Sequence, residues 1–361
     1  MRRVLPVLTL GAALVLAGCG ASPQTSPGTS APTPSPDAVH VQPSGDPVEV
    51  TTGLTLPWSI ARIDAQETLV SQRDDARILS VASDRSPVEV GVVPGVSHGG
   101  EGGLLGIAHL AGDGDDAWLY AFITTGDDNR IVRMPYDGDS LGEAEVVLEG
   151  IAKAGNHNGG RIAFGPDGML YATTGDAARP DLSQDPDSLN GKILRMTATG
   201  AVPDDNPTAG SLVYSLGHRN PQGIAWDADG QLWAAEFGQN TWDEFNRIEP
   251  GANYGWPVVE GITGESGFVD PVLQWATSEA SPSGLAFVDG TFFLAALRGE
   301  RVWAIDIADD GTAGATPWFA GEFGRIRDVT AGPDGSLWFL TNDVDGGDRL
   351  MQVALVPVTE G

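Results

Sequence analysis

Apolar residues along this chain recur in short alternating runs, each split by an Asp-Gly turn or a near equivalent. Phe164-Gly165-Pro166-Asp167-Gly168-Met169-Leu170-Tyr171-Ala172 shows the pattern, which returns at residues 226–234 (WDADGQLWA) and 332–339 (GPDGSLWF). Weaker copies lie at residues 287–294 (FVDGTFFL), 110–122 and 63–70. Asp-Gly between alternating apolar stretches predicts a β-hairpin. Helix-period patterns are scarce, so the folded part reads as all-β.

These turns fall roughly 45 to 60 residues apart, the spacing of four-stranded propeller blades. Six copies predict a six-bladed β-propeller of four-stranded antiparallel blades. A β-sandwich would need about seven strands in about 100 residues and no long-range repeat. A strand near residues 48–51 is expected to complete the last blade beside residues 350–356, closing the ring.

The N-terminus follows other rules. Arg2 and Arg3 precede an apolar run over residues 4–17, ending at Leu16-Ala17-Gly18-Cys19. A basic start, a short apolar run and small residues before a cut describe a secretory signal over residues 1–18. The run is short for a membrane-spanning helix. Cys19, the only cysteine, stands where bacterial lipoprotein signals place the acylated residue, so the expected location is extracytoplasmic, on the outer face of the cell membrane. Contact with the membrane is then through the lipid anchor only. Residues 19–46, rich in Ser, Thr, Pro and Gly, read as a tether that cannot bury enough surface to order itself. The propeller is expected over 47–361. With 20 basic against 49 acidic residues, the surface repels phosphate backbones, which argues against nucleic acid as a partner.

Four loops carry more polar and glycine residues than turns require. They are Asn156-His157-Asn158-Gly159-Gly160-Arg161, Gly217-His218-Arg219-Asn220-Pro221-Gln222-Gly223, residues 236–244 (EFGQNTWDE) with Asn253-Tyr254-Gly255-Trp256-Pro257, and Gly324-Arg325-Ile326-Arg327-Asp328. Together with residues 102–106 (GGLLG), 190–195 (NGKILR), 203–207 (PDDNP) and 281–284 (SPSG), they run in order from about Leu54 to Asn342. In this the sequence resembles the soluble glucose and aldose sugar dehydrogenases that depend on pyrroloquinoline quinone (PQQ).

The resemblance implies an oxidoreductase that converts aldoses to lactones by hydride transfer from C1 to calcium-bound PQQ, with electrons passing to an external acceptor. It makes His157 the general base, a role that suits imidazole, and Asp176 the carboxylate that orients it. A plain Gly-Asp turn is an equal reading of Asp176. It puts Arg219 and Asn220 over the quinone, and leaves His218 structural. Arg298, Arg325 and Arg327 would clamp the cofactor's carboxylates, as arginine forks do. One calcium would take the main-chain carbonyls of Gly238 and Gln239, and a second Glu244 with the main chain at Tyr254, oxygen donors that suit a hard cation.

Some positions depart from the best-known glucose enzyme type. Arg298 replaces a lysine, Gln239 a proline, Phe237 a glutamine, and Glu101 a glutamine that contacts the sugar. The segment between Gly261 and Ser281 is short, which implies an open cleft. Trp242 offers either a stacking face for a sugar or packing between blades. Two other readings stay open: a non-catalytic calcium-binding propeller that recognises a glycan or protein, and a calcium-dependent lactonase or hydrolase. Neither needs the arginine clamp.

Overall fold

The computed structural model describes Met1 and residues 40–82, 85–112, 117–308, 310–343 and 347–358. The signal, Cys19 and the tether up to residue 39 lie outside the described residues. Residues 38–361 form one unit with strands β1 to β24 in chain order. These make six four-stranded sheets, every neighbouring pair antiparallel. No helix among the described residues is long and apolar enough to cross a membrane.

All six hairpin turns read from the sequence join the first and second strands of a blade. The turn at 165–169, for example, joins β10 (Ile162–Phe164) to β11 (Leu170–Thr174). The side chain of Asp167 closes it by accepting the N–H of Met169 at 3.0 Å, and Gly168 takes φ +76°. Asp334 accepts the N–H of Ser336 at 3.2 Å, and Gly335 takes φ +78°, at the same place in another blade. Asp supplies a local acceptor and Gly the left-handed backbone, which is why the pair recurs.

Each blade is covered on both faces by its neighbours, so the second strands are buried almost throughout rather than in alternation. In β19 (Thr291–Ala296) every residue is buried. The first strands β2 (Pro57–Arg62), β6 (Leu104–Leu110), β10, β14 (Pro221–Trp226), β18 (Pro282–Val288) and β22 (Ile326–Ala331) surround the axis. Between them runs an axial cavity of about 420 Å³.

The ring closes as expected. β1 (Val41–Leu54) pairs with β24 (Asp348–Pro357), joining the first strand to the last blade. The strand begins at Val41, however, inside the segment that composition read as tether. Val41 is buried against the core of the last two blades, and its backbone N–H donates to the Thr291 hydroxyl at 2.9 Å. The boundary therefore moves from residue 46 to about residue 40.

A chain beginning at residue 47 loses the pairs from Val41↔Pro357 to Ser44↔Ala354. Burying one Val contributes about 1.5–3 kcal/mol, so this chain should melt a few degrees below one beginning at residue 38. Circular dichroism melts of the two would check it; coincident curves would place all of the closure in residues 47–54.

Candidate active site

The hairpin turns occupy one end of the propeller. The opposite end carries the links from each blade to the next and the links between second and third strands. Every site residue read from the loops of the sequence falls in one of these two classes, apart from Arg327, which lies inside β22, and from Glu244 and the segment around Tyr254.

The loop before β10 shows how the chain sets its chemistry. Asn158, almost fully buried, accepts from the amide of Asn129 at 2.9 Å and donates to the carbonyl of Ala154 at 2.9 Å. Gly159 passes so close to the next hairpin that a Cβ would lie 2.7 Å from the carbonyl oxygen of Thr173. Between these anchors His157 adopts φ +56°, and its N–H donates to the Glu101 carboxylate at 2.8 Å.

The ring of His157 is held at both nitrogens. Nδ1 lies 2.7 Å from Asp176 Oδ1, and Nε2 lies 2.8 Å from Arg219 Nη2. Guanidinium has only donors, so Nε2 accepts and Nδ1 carries the proton that Asp176 accepts. Asp176 is fully buried, and its other oxygen accepts the indole N–H of Trp256 at 2.9 Å. The plain-turn reading of Asp176 thus gives way: the structure brings His157, Asp176 and Arg219 into one contact chain. These residues border an open cleft of about 400 Å³, with Asn156, Gln239 and Asn240 also on its wall.

Arg219 and Asn220 are placed from below by Glu236. Its carboxylate accepts the backbone N–H of Arg219, that of Asn220 at 3.3 Å, and the ring of His218 at 2.8 Å. His218 is structural, as read: it also bonds the Ser215 hydroxyl at 2.8 Å and stacks on Tyr254. Asn220 Oδ1 accepts the N–H of Gly159 at 2.9 Å, tying the two loops together. Arg219 Nη1 donates to the Phe237 carbonyl at 3.2 Å, while burial pushes its pKa down.

Deeper lies a second cavity of about 120 Å³, lined by Trp58, Arg73, Arg325 and Arg327 among others. Arg327 donates to Gln222 at 3.0 Å and to Asn342 at 3.1 Å. Burial, with the positive charges of Arg325 and Arg73, lowers its pKa to about 9. The Nε groups of Arg219, Arg325 and Arg327 are buried without a partner. Clustered guanidiniums with unused donors fit a ligand that carries several carboxylates. Arg298 stands exposed beside Leu297, which lines this cavity. Arg73 and Trp58 were missed in the sequence. Their signal was position: Arg73 follows the second strand of its blade, the same place as Asp176 after β11.

The floor is an ion pair. Arg161 Nη1 lies 2.9 Å from Asp328 Oδ2 and 2.9 Å from the Ser59 hydroxyl, and its guanidinium lies over the Trp58 ring at 4.4 Å. It separates the arginine cavity from the axial cavity.

The expected calcium positions gather beside the cleft. Glu260 accepts the N–H of Gln239 at 2.7 Å, and Asp243 that of Gly238 at 2.9 Å. Glu244 is buried, and desolvation with the nearby Glu236 charge raises its pKa to about 8. The Tyr254 hydroxyl donates to the Arg247 carbonyl at 2.6 Å. Among the described residues no three His, Cys, Asp or Glu side chains form a metal-holding group. Trp242 packs against Gly261, where a Cβ would lie 2.6 Å from its ring, and does not line the cleft.

The profile of the Glucose / Sorbosone dehydrogenase family matches residues 54–352. An uncharacterised protein of Synechocystis is 32% identical over 94% of this chain and 96% of its own length. An aldose sugar dehydrogenase of Escherichia coli is 31% identical over 80% of this chain and 88% of its own. Among solved structures, the PQQ-bound aldose sugar dehydrogenase of Streptomyces coelicolor superposes with a TM-score of 0.82 at 48% identity, covering 89% of this chain and 99% of that one.

Replacing Arg161 with Leu leaves Asp328 a buried charge without its counter-ion. Breaking such a pair from one side costs about 3–5 kcal/mol. Urea unfolding of the R161L variant should show that loss, and a change below about 1 kcal/mol would contradict the role given to the pair.

Proposed function

Because the chain belongs to the glucose/sorbosone dehydrogenase family of PQQ-dependent sugar oxidoreductases, we propose that it oxidises aldoses at C1 to lactones. The observation that carries this reading is His157, clamped between Asp176 and Arg219 next to a cavity of unsatisfied guanidiniums.

PQQ, when bound, supplies the two-electron acceptor for the hydride that leaves C1. His157 Nε2 takes the proton of the C1 hydroxyl, once the sugar displaces Arg219 from that nitrogen. Asp176 stabilises the imidazolium that forms and keeps the ring from turning. Arg219, freed from the imidazole, offers donors to negative charge developing alongside. Asn220 keeps Arg219 and the His157 loop in register through Gly159. Arg325 and Arg327, with Arg73, would hold the cofactor's carboxylates, and Arg298 would add charge at the rim. Calcium would be held by the carbonyls of Gly238 and Gln239, and a second ion by Glu244 with the main chain at Tyr254. The donor chemistry, carbonyl and carboxylate oxygen, suits this ion.

The substrate reaches the site through an open cleft whose wall is rich in side-chain amides, which recognise hydroxyl groups without selecting for charge. Electrons leave to an external acceptor. A cleaved signal, acylation of Cys19 and a short tether would hold the enzyme on the outer face of the membrane.

The test uses residues 38–361, stripped with chelator, then given PQQ and calcium, with dye reduction by a panel of aldoses as readout. Turnover should need both additions. His157→Ala should lose at least about 1,000-fold in kcat. Arg327→Ala should weaken PQQ binding about tenfold or more, read by absorbance titration. Calcium binding without PQQ binding would overturn the enzyme reading in favour of a glycan- or protein-binding propeller.

A further inference from the structure

Trp256 belongs to a sequence motif that the catalytic scheme leaves without a task. We propose that it is a positioning residue, which fixes the Asp176 carboxylate and through it the ring of His157. The proposal rests on the reading of His157 as the base.

The geometry around Asp176 is two-sided. Oδ1 accepts from His157 Nδ1 at 2.7 Å and from the backbone N–H of Ala178 at 2.8 Å. Oδ2 accepts from Trp256 Nε1 at 2.9 Å. With donors on both oxygens the carboxylate plane cannot turn, and the imidazole that donates to Oδ1 cannot turn either. The indole also lies 5.6 Å from the Arg219 guanidinium, the group that donates to the other nitrogen of His157. One side chain therefore touches both residues that hold the base.

The route of the chain to this point packs Ile248 and Tyr254 into the core and also carries Trp256 to the site. The link between the third and fourth strands of this blade starts at the hairpin-turn end. It is long, covering residues 248–272 between β16 (Trp242–Arg247) and β17 (Leu273–Ala276). It climbs beside the neighbouring blade, where Asn253 makes a parallel bridge to Leu216, and so delivers Trp256 at the opposite end. There the Trp256 N–H donates to the Gly217 carbonyl at 2.9 Å, two residues before Arg219. Its carbonyl accepts from the Gln184 amide at 2.7 Å, in the link that follows Asp176. The backbone is stapled to the two loops whose side chains the indole then joins.

Trp256→Phe keeps an aromatic ring beside Arg219 and removes the N–H together with the five-membered ring that carries it. In the PQQ- and calcium-loaded protein we expect kcat to fall about ten- to hundredfold with KM changed less than about twofold. In an Asp176→Ala background the same substitution should do nothing further, because its effect runs through that carboxylate. A second readout needs no cofactor. The protein has five histidines, so the ¹⁵N imidazole resonances of His157 can be assigned by comparison with His157→Ala. They should report a single Nδ1–H tautomer in the parent protein and a mixture in Trp256→Phe. Trp256→His, which restores a ring N–H, should recover much of the lost kcat and covers the case in which Phe is not tolerated. Unchanged kcat and an unchanged tautomer in Trp256→Phe would overturn the proposal, as would an undiminished loss in the Asp176→Ala background or equal losses for Phe and His. Absence of sugar turnover in the parent protein would count against the redox reading alone, and the tautomer result would still decide whether Trp256 positions the ring.

Discussion

Everything in this molecule depends on the antiparallel pairing of β1 with β24. A blade has apolar residues on both faces and is stable only between two neighbours, so an open row of six would leave two faces bare. By lending the first strand to the last blade, the chain ties its two ends into one sheet and leaves no first or last blade. The same closure draws the inter-blade links of all six blades toward one axis, and residues as distant as Ser59, Arg161 and Asp328 meet there.

The fold was legible because its repeating element is local. An Asp acceptor two residues before a backbone N–H, close to a Gly, closes the turn in three of the blades, at Asp167, Asp227 and Asp334, whatever surrounds it. The tether boundary was misread because β1 is an outer strand. Between Val41 and Val50 only Val41, Pro43 and Val50 are buried, and the other positions look like linker. His157 and Arg219 were legible because each stands in a loop too rich in polar and glycine residues for a turn, and Arg327 because such a loop leads into β22 just before it. Trp58 and Arg73 were not. Both lie in stretches of ordinary composition, and their meaning comes from contacts across the ring with residues far along the chain. Trp242 illustrates the converse: next to a functional loop in sequence, it is spent on packing against Gly261.

Charge is distributed against the average. The chain carries a formal charge of −29, yet its interior at the axis gathers Arg73, Arg161, Arg219, Arg325 and Arg327. Arg161 pairs with the buried Asp328 at 2.9 Å, and Arg73 with the half-exposed Asp74 at 2.6 Å. Burial, then the charges of Arg325 and Arg73, lowers the affinity of Arg327 for protons, and burial with the charge of Arg73 lowers that of Arg325. Against the overall negative charge, this cluster is the place where an anion is favoured.

The Arg161–Asp328 pair has a further consequence for traffic. With Trp58 stacked above it, it stoppers the tunnel that a ring of six blades would otherwise leave open from end to end. On the proposed function, the sugar, its oxidised product and the electron acceptor would all use the open cleft beside His157.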